Sequence, residues 1–123
     1  MQRIRFFLVI SILLSPCGIP YVSGMDIYLN EIPNSAVFVC KTCHTAGLSA
    51  KTLFGEDFKS NGFKWNAGLA NKDSDRDGYS NGVELQDPSG TWVPGLTNLD
   101  IPSLVSNPGD QNSIPKSLPS QAR

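Results

Sequence analysis

A chain of 123 residues, 40% hydrophobic and 17% charged, has the size of one small domain and excludes a multi-domain enzyme with a large buried core. Ten Lys and Arg against eleven Asp and Glu leave a net charge of −1, which excludes holding a nucleic-acid phosphate backbone by charge. Eleven Gly and nine Pro imply many turns, so something besides apolar packing must help to hold a small ordered core.

The chain begins with a basic stretch, Gln2-Arg3-Ile4-Arg5, then the apolar run 6–14, broken only by Ser11, then Val22-Ser23-Gly24 as a cleavage region. This is the pattern of a secretory signal over residues 1–24. The run is well short of the roughly 20 residues that cross a bilayer, so no stable membrane span is expected. Lipid attachment at Cys17 fits poorly, because Pro16 stands where a small residue is wanted. The mature chain, secreted or periplasmic, starts at Met25 and keeps two cysteines, Cys40 and Cys43. Two thiols normally do not persist in an oxidising compartment, so their fate is the central question.

From Met25 to Val39 the pattern reads as short and extended, with a turn at Ile32-Pro33-Asn34-Ser35. Residues 45–51 read as a loop. Leu53, Phe54 and Phe58 stand at helical spacing within Thr52 to Asn61, and Gly62 is placed to end that helix in a left-handed conformation. Trp65 and Leu69, four apart, mark a second helical stretch from about Trp65 to Asn71. An acidic loop, a short helix around Asn81 to Gln86 and a break at Asp87-Pro88-Ser89-Gly90 follow. Residues 100–123, rich in Ser and Pro with few apolar residues, read as a disordered tail.

Cys40-Lys41-Thr42-Cys43-His44 has two thiols on one turn and an imidazole beside them, the spacing of covalent c-type haem attachment. In that reading Cys40 and Cys43 hold the ring and His44, the chain's one histidine, binds the iron. Phe38, Phe54, Phe58, Phe63, Trp65, Trp92, Tyr28 and Tyr79 would pack against the ring, or simply against each other. A sixth iron ligand is not evident: Met25 lies at the mature terminus, and Lys51, Lys59, Lys64 and Lys72 must first lose a proton. A local Cys40–Cys43 disulfide is the alternative. A zinc site would have these three donors but no second cluster.

Asp73-Ser74-Asp75-Arg76-Asp77-Gly78-Tyr79-Ser80-Asn81-Gly82-Val83-Glu84 fits the twelve-residue calcium loop, with carboxylates at its first, third and fifth positions, Gly at the sixth and Glu at the twelfth. Asp73, Asp75, Asp77 and Glu84 would give carboxylate oxygens, Tyr79 its backbone carbonyl and Asn81 an oxygen directly or through water. Crowded carboxylates repel one another unless a cation sits among them, and Arg76 alone compensates too little. With one such loop, a structural Ca2+ is expected rather than a sensor.

The run Leu53-Phe54-Gly55, Asp57-Phe58, Gly62, Trp65, Leu69, the acidic loop, Glu84-Leu85, Asp87-Pro88 and Trp92 resembles the temptin family and its bacterial relatives over roughly residues 32–95. The resemblance implies a secreted, disulfide-bonded, calcium-binding domain of the kind implicated in pheromone signalling, with Asp73, Asp75, Asp77 and Glu84 as calcium ligands. The family's disulfide transfers badly, because no cysteine stands near Gly90-Thr91-Trp92 to pair with Cys40. Cys43-His44 is what bacterial relatives resembling c-type cytochromes would carry.

The expected fold is mainly α with irregular loops and little β: one small domain over 25–99, its short helices arranged around the Cys40–His44 motif and a calcium-binding helix-loop-helix. Two readings of function remain open. One is an exported cytochrome, with one covalent haem c and one Ca2+, passing electrons to a redox partner protein. The other is a cofactor-free secreted, temptin-like, calcium-binding interaction module with a Cys40–Cys43 disulfide, meeting a secreted or surface protein. An enzyme ranks last, since one histidine leaves no second group for acid–base work.

Overall fold

Three helices of this chain begin at a residue whose side chain caps the first turn. In a computed structural model, which describes residues 26–97 and 101–116, the helices are α1 (Asp26–Leu29), α2 (Leu53–Ser60), α3 (Ala67–Ala70) and α4 (Asn81–Glu84). Two 3-10 turns, Val39–Thr42 and Pro102–Leu104, complete the regular structure. Among the described residues the one β pairing is an isolated antiparallel bridge between His44 and Lys51. The signal sequence expected over 1–24 lies outside the described residues.

The helix expected over 52–61 is α2 with its caps: Thr52 Oγ1 accepts from the Gly55 N–H, and Asn61 ends the last turn. Gly62 follows at φ 71° and Phe63 at φ 57°, so the left-handed exit extends one residue past the glycine. Asn66 caps α3 by accepting from the Leu69 N–H, and Ser80 caps α4 by accepting from the Val83 N–H. Both helices are shorter than the stretches read from the sequence. Each is one turn, too short to stand without tertiary packing.

The core is small: Ile32, Phe54, Phe58, Trp65, Leu69, Ala70, Leu85 and Val105, with Phe38, Cys43, Phe63 and Trp92 packed on its edge. Phe54 and Phe58 lie on the inner face of α2, and α3 packs on α4. The approach is close at Gly82, where an added Cβ would meet the Ala70 side chain and the backbone of Asp87 and Pro88.

Buried polar side chains do the stitching that a sheet would do elsewhere. Asn34 donates to the Leu85 carbonyl at 2.8 Å, across 51 residues of sequence. Thr52 donates to the Thr42 carbonyl at 2.9 Å, and its N–H donates to the Cys43 carbonyl, fixing the 3-10 turn to the start of α2. Asp87 accepts from Trp65 Nε1 at 2.7 Å, from the Trp92 N–H at 2.8 Å and from the Thr91 N–H. Burial pushes the Asp87 carboxyl up, but these hydrogen bonds outweigh it and hold the group below its ordinary value.

Two sequence expectations are corrected here. The segment 26–39 is not extended: it forms α1 and a series of turns, tied by Ser35 Oγ donating to the Leu29 carbonyl. Residues 101–116 are not a disordered tail. Val105, Ser106, Asn107 and Pro108 are buried, the Ser106 N–H donates to the Glu84 carbonyl, and Asn107 Nδ2 donates to the Lys41 carbonyl. Composition hides this strap because its order comes from hydrogen bonds to distant residues rather than from apolar area of its own.

Asp87→Ala leaves the buried Trp65 N–H without a partner, and we expect a loss of about 1–3 kcal/mol in urea unfolding. Because the folded carboxyl sits below its ordinary value, its contribution is present at neutral pH and fades as pH falls through the carboxylate range. The variant and the wild type should therefore converge in stability in acid. An unchanged difference at low pH would show that lost packing, and not the charge, carries the effect.

Candidate metal centre in the acidic loop

Residues 72–80 turn back on themselves between α3 and α4, and the loop's own carboxylates shape it. Asp73 accepts from the N–H groups of Arg76 and Gly78, Asp75 from that of Asp77, and Asp77 from that of Tyr79. Arg76 at φ 67° and Gly78 at φ 96° supply the left-handed positions that the tight path requires. One oxygen from each of Asp73, Asp75 and Asp77 comes within 4.8 Å of the others.

Glu84, on α4, has no exposed surface. Its Oε1 accepts from Ser106 Oγ at 2.9 Å. Its Oε2, together with Asp75 Oδ2 and Asp77 Oδ2, is buried without a hydrogen-bond partner. Burial, opposed by the Ser106 hydrogen bond and reinforced by the charges of Asp75, Asp77 and Asp73, pushes the Glu84 carboxyl up to about 8. Burial and the neighbouring Asp77 push Asp75 up to about 6. Three unpaired, buried carboxylate oxygens facing one another's charge are unfavourable alone and form a donor set for a hard cation.

The loop is anchored to α2 by contacts that the sequence reading did not assign. Ser74 Oγ and Lys72 Nζ donate to the two oxygens of Asp57, at 2.8 and 2.6 Å. Burial raises the Asp57 carboxyl, yet the Lys72 and Ser74 hydrogen bonds and the Lys72 charge hold it below its ordinary value. Their only sequence signal was a carboxylate on the polar side of α2 and a cation just before the loop. Ser106 gave none.

Asn81, expected to offer an oxygen directly or through water, has its amide engaged within the loop. Its Nδ2 donates to the Leu69 carbonyl and to Ser74 Oγ, and its Oδ1 accepts from the Ser74 N–H. The fully buried amide is committed to holding the loop's two ends together. Tyr79, expected to act through its carbonyl, is 41% exposed, and its N–H is held by Asp77.

The second candidate group lies elsewhere. Cys40 is in the 3-10 turn and Cys43 caps it, so the thiols sit one turn apart, and with His44 they line an apolar cavity. Both cysteines are free thiols in this structure. Burial, then the nearby Cys40, pushes the Cys43 thiol up to about 11. His44 Nδ1 is buried without a partner.

The fold and site together define a small, loop-rich helical domain built around one acidic loop, in which no helix among the described residues is long and apolar enough to cross a membrane. The temptin C-terminal family model matches residues 22–110, and temptin of Aplysia californica is 38% identical over 119 aligned residues, covering 88% of this chain and 90% of that protein. The chain belongs to the temptin family. No solved structure matches it.

Family membership overturns the covalent haem c expected on Cys40, Cys43 and His44, and with it the iron, the electron transfer and the redox partner, because temptins are not haem proteins. The expectation rested on a five-residue pattern. The match to temptin rests on nearly the whole chain and takes in the strap as far as residue 110.

In a chelator, the raised Glu84 carboxyl makes the folded chain bind a proton that the unfolded chain has lost, so stability should fall as pH rises from the ordinary carboxylate range to about 8. Glu84→Gln removes the ionisable group and keeps a side chain of similar shape. Its melting temperature in chelator should vary less over that window than that of the wild type. Equal slopes for the two proteins would mean that Glu84 is already ionised in the folded state.

Proposed function

We propose that this protein is a secreted, haem-free module of the temptin type, not an enzyme, which presents its surface to other secreted or cell-surface proteins and is braced by one structural Ca2+. The observation that carries the metal is the set of buried, unpartnered oxygens on Asp75, Asp77 and Glu84. All are hard donors, the kind that calcium takes and that soft metals do not favour. Asp73, Asp75, Asp77 and Glu84 would hold the ion through carboxylates and Tyr79 through its backbone carbonyl. A bound cation offsets the mutual repulsion of these groups and locks α3 to α4 and, through Ser106, to the C-terminal strap. Its role is mechanical, and activity then belongs to the surface the braced fold displays.

Family membership and the basic, then apolar, leader over residues 1–24 support secretion. Against an enzyme stands the environment of the nucleophilic residues. Cys43 is held as a thiol near neutral pH, far from an activated thiolate.

Calcium at 100 times its dissociation constant, bound only by the folded chain, should stabilise it by about 2.7 kcal/mol. Asp73→Ala and Glu84→Gln should each weaken calcium binding measured by calorimetry and shrink the rise in melting temperature that calcium produces. A melting temperature that is the same with calcium and with chelator in the wild type would overturn the reading.

A further inference from the structure

Between α1, the 3-10 turn Val39–Thr42 and α2 lies a cavity of about 260 Å³ that no residue of the acidic loop lines. Its apolar wall is aromatic: Tyr28 stacks on Phe63 at 4.4 Å, and Phe58 meets both rings edge-on at 6.5 and 5.7 Å. His44 and Lys51 also line it, facing each other across their β bridge and so presenting neighbouring side chains. Among the described residues no carboxylate lines the cavity, although Glu56 pairs with Lys51.

Two features of this wall lack an explanation in the fold. His44 Nδ1 has no accessible surface and no hydrogen-bond partner, so it is the rest of the imidazole that lines the cavity. At the cavity's rim, Val39 has φ 51°, a left-handed conformation that a β-branched side chain adopts only under strain. The Val39 N–H holds that geometry by donating to the Ser35 carbonyl at 2.8 Å. Lys51 pairs with Glu56 at 3.3 Å on its outer side, and an ammonium has three hydrogens to give.

We propose that this cavity binds a small amphipathic molecule with an apolar body and a single carboxylate head. The body lies against Tyr28, Phe58 and Phe63, and the head meets His44 and Lys51. Size and apolar lining select a small molecule over a peptide. The absence of any acid from the lining and the presence of two basic side chains select an anionic head. The site is separate from the acidic loop, so it stands or falls independently of the calcium.

The test is calorimetric titration of the calcium-loaded protein, its thiols kept reduced, with octanoate and with octanol as the uncharged match. Octanoate should bind one per chain, and octanol about fivefold more weakly, the ratio given by ~1 kcal/mol from a partly exposed charge pair. Salt should narrow the gap. Lys51→Gln, a change at an exposed position, should bring octanoate down to the level of octanol and leave octanol unchanged. If neither ligand saturates at one per chain, the cavity is not a binding site. Equal affinities in the wild type, or an octanoate advantage that survives Lys51→Gln combined with His44→Ala, would overturn the anionic head.

Discussion

A carboxylate with no exposed surface sits at the centre of this protein, and much of the fold is arranged around Glu84. Its backbone carbonyl and one side-chain oxygen both receive hydrogen bonds from Ser106, which fastens the C-terminal strap to α4. Its other oxygen faces the loop acids unpaired. Desolvation is the largest effect on its acidity and the charges of the three aspartates add to it. Protonation relieves Glu84 near neutral pH, where its carboxyl titrates at about 8, but leaves Asp75, at about 6, largely ionised. The divalent cation proposed above would satisfy all of them at once.

The second constraint is size. Eight of the described residues make a modest hydrophobic core, and a chain of this length buries a smaller fraction of its surface than a large domain does. The deficit is met by side chains that reach the backbone of remote segments: Asn34 to Leu85, Thr52 to Thr42, Asn81 to Leu69 and Asp87 to Trp92. Each such bond contributes about 1 kcal/mol net, yet leaving its buried partner unmatched costs more. A fold held this way specifies its loops closely, since each bond fixes where two stretches of coil must meet.

That mode of construction sets what the sequence can reveal. The caps of α2, the left-handed Gly62 and the acidic loop are local: their signals lie within a dozen residues, and each was legible. The strap was not, because Ser106 and Asn107 act through partners 22 and 66 residues away and look like ordinary coil. Asn81 matched a ligand position by spacing, but spacing does not show which way an amide is committed in the fold. Cys40 to His44 is the sharpest case. Two thiols and an imidazole at that spacing satisfy several chemistries equally, and only the relationship extending over nearly the whole chain separates them.

Helix α2 is where these parts meet. Asp57 holds the acidic loop through Lys72 and Ser74, while Phe58, the next residue, forms part of the aromatic wall of the cavity. One turn earlier, Thr52 and Gly55 take up the other end of the structure: the Thr52 N–H binds the Cys43 carbonyl, and a Cβ at Gly55 would overlap that same carbonyl. The glycine is therefore needed where the cysteine turn lies against the helix, and any larger residue must push the two apart. The charges are sorted by the same helix. The loop acids gather on one side of it, and the cavity, with Lys51 and His44, opens on another with no acid in its lining. A hard cation and a carboxylate-bearing ligand would each meet complementary charge in its own place, with Phe54 and Phe58 of the apolar core carried on the helix that joins them.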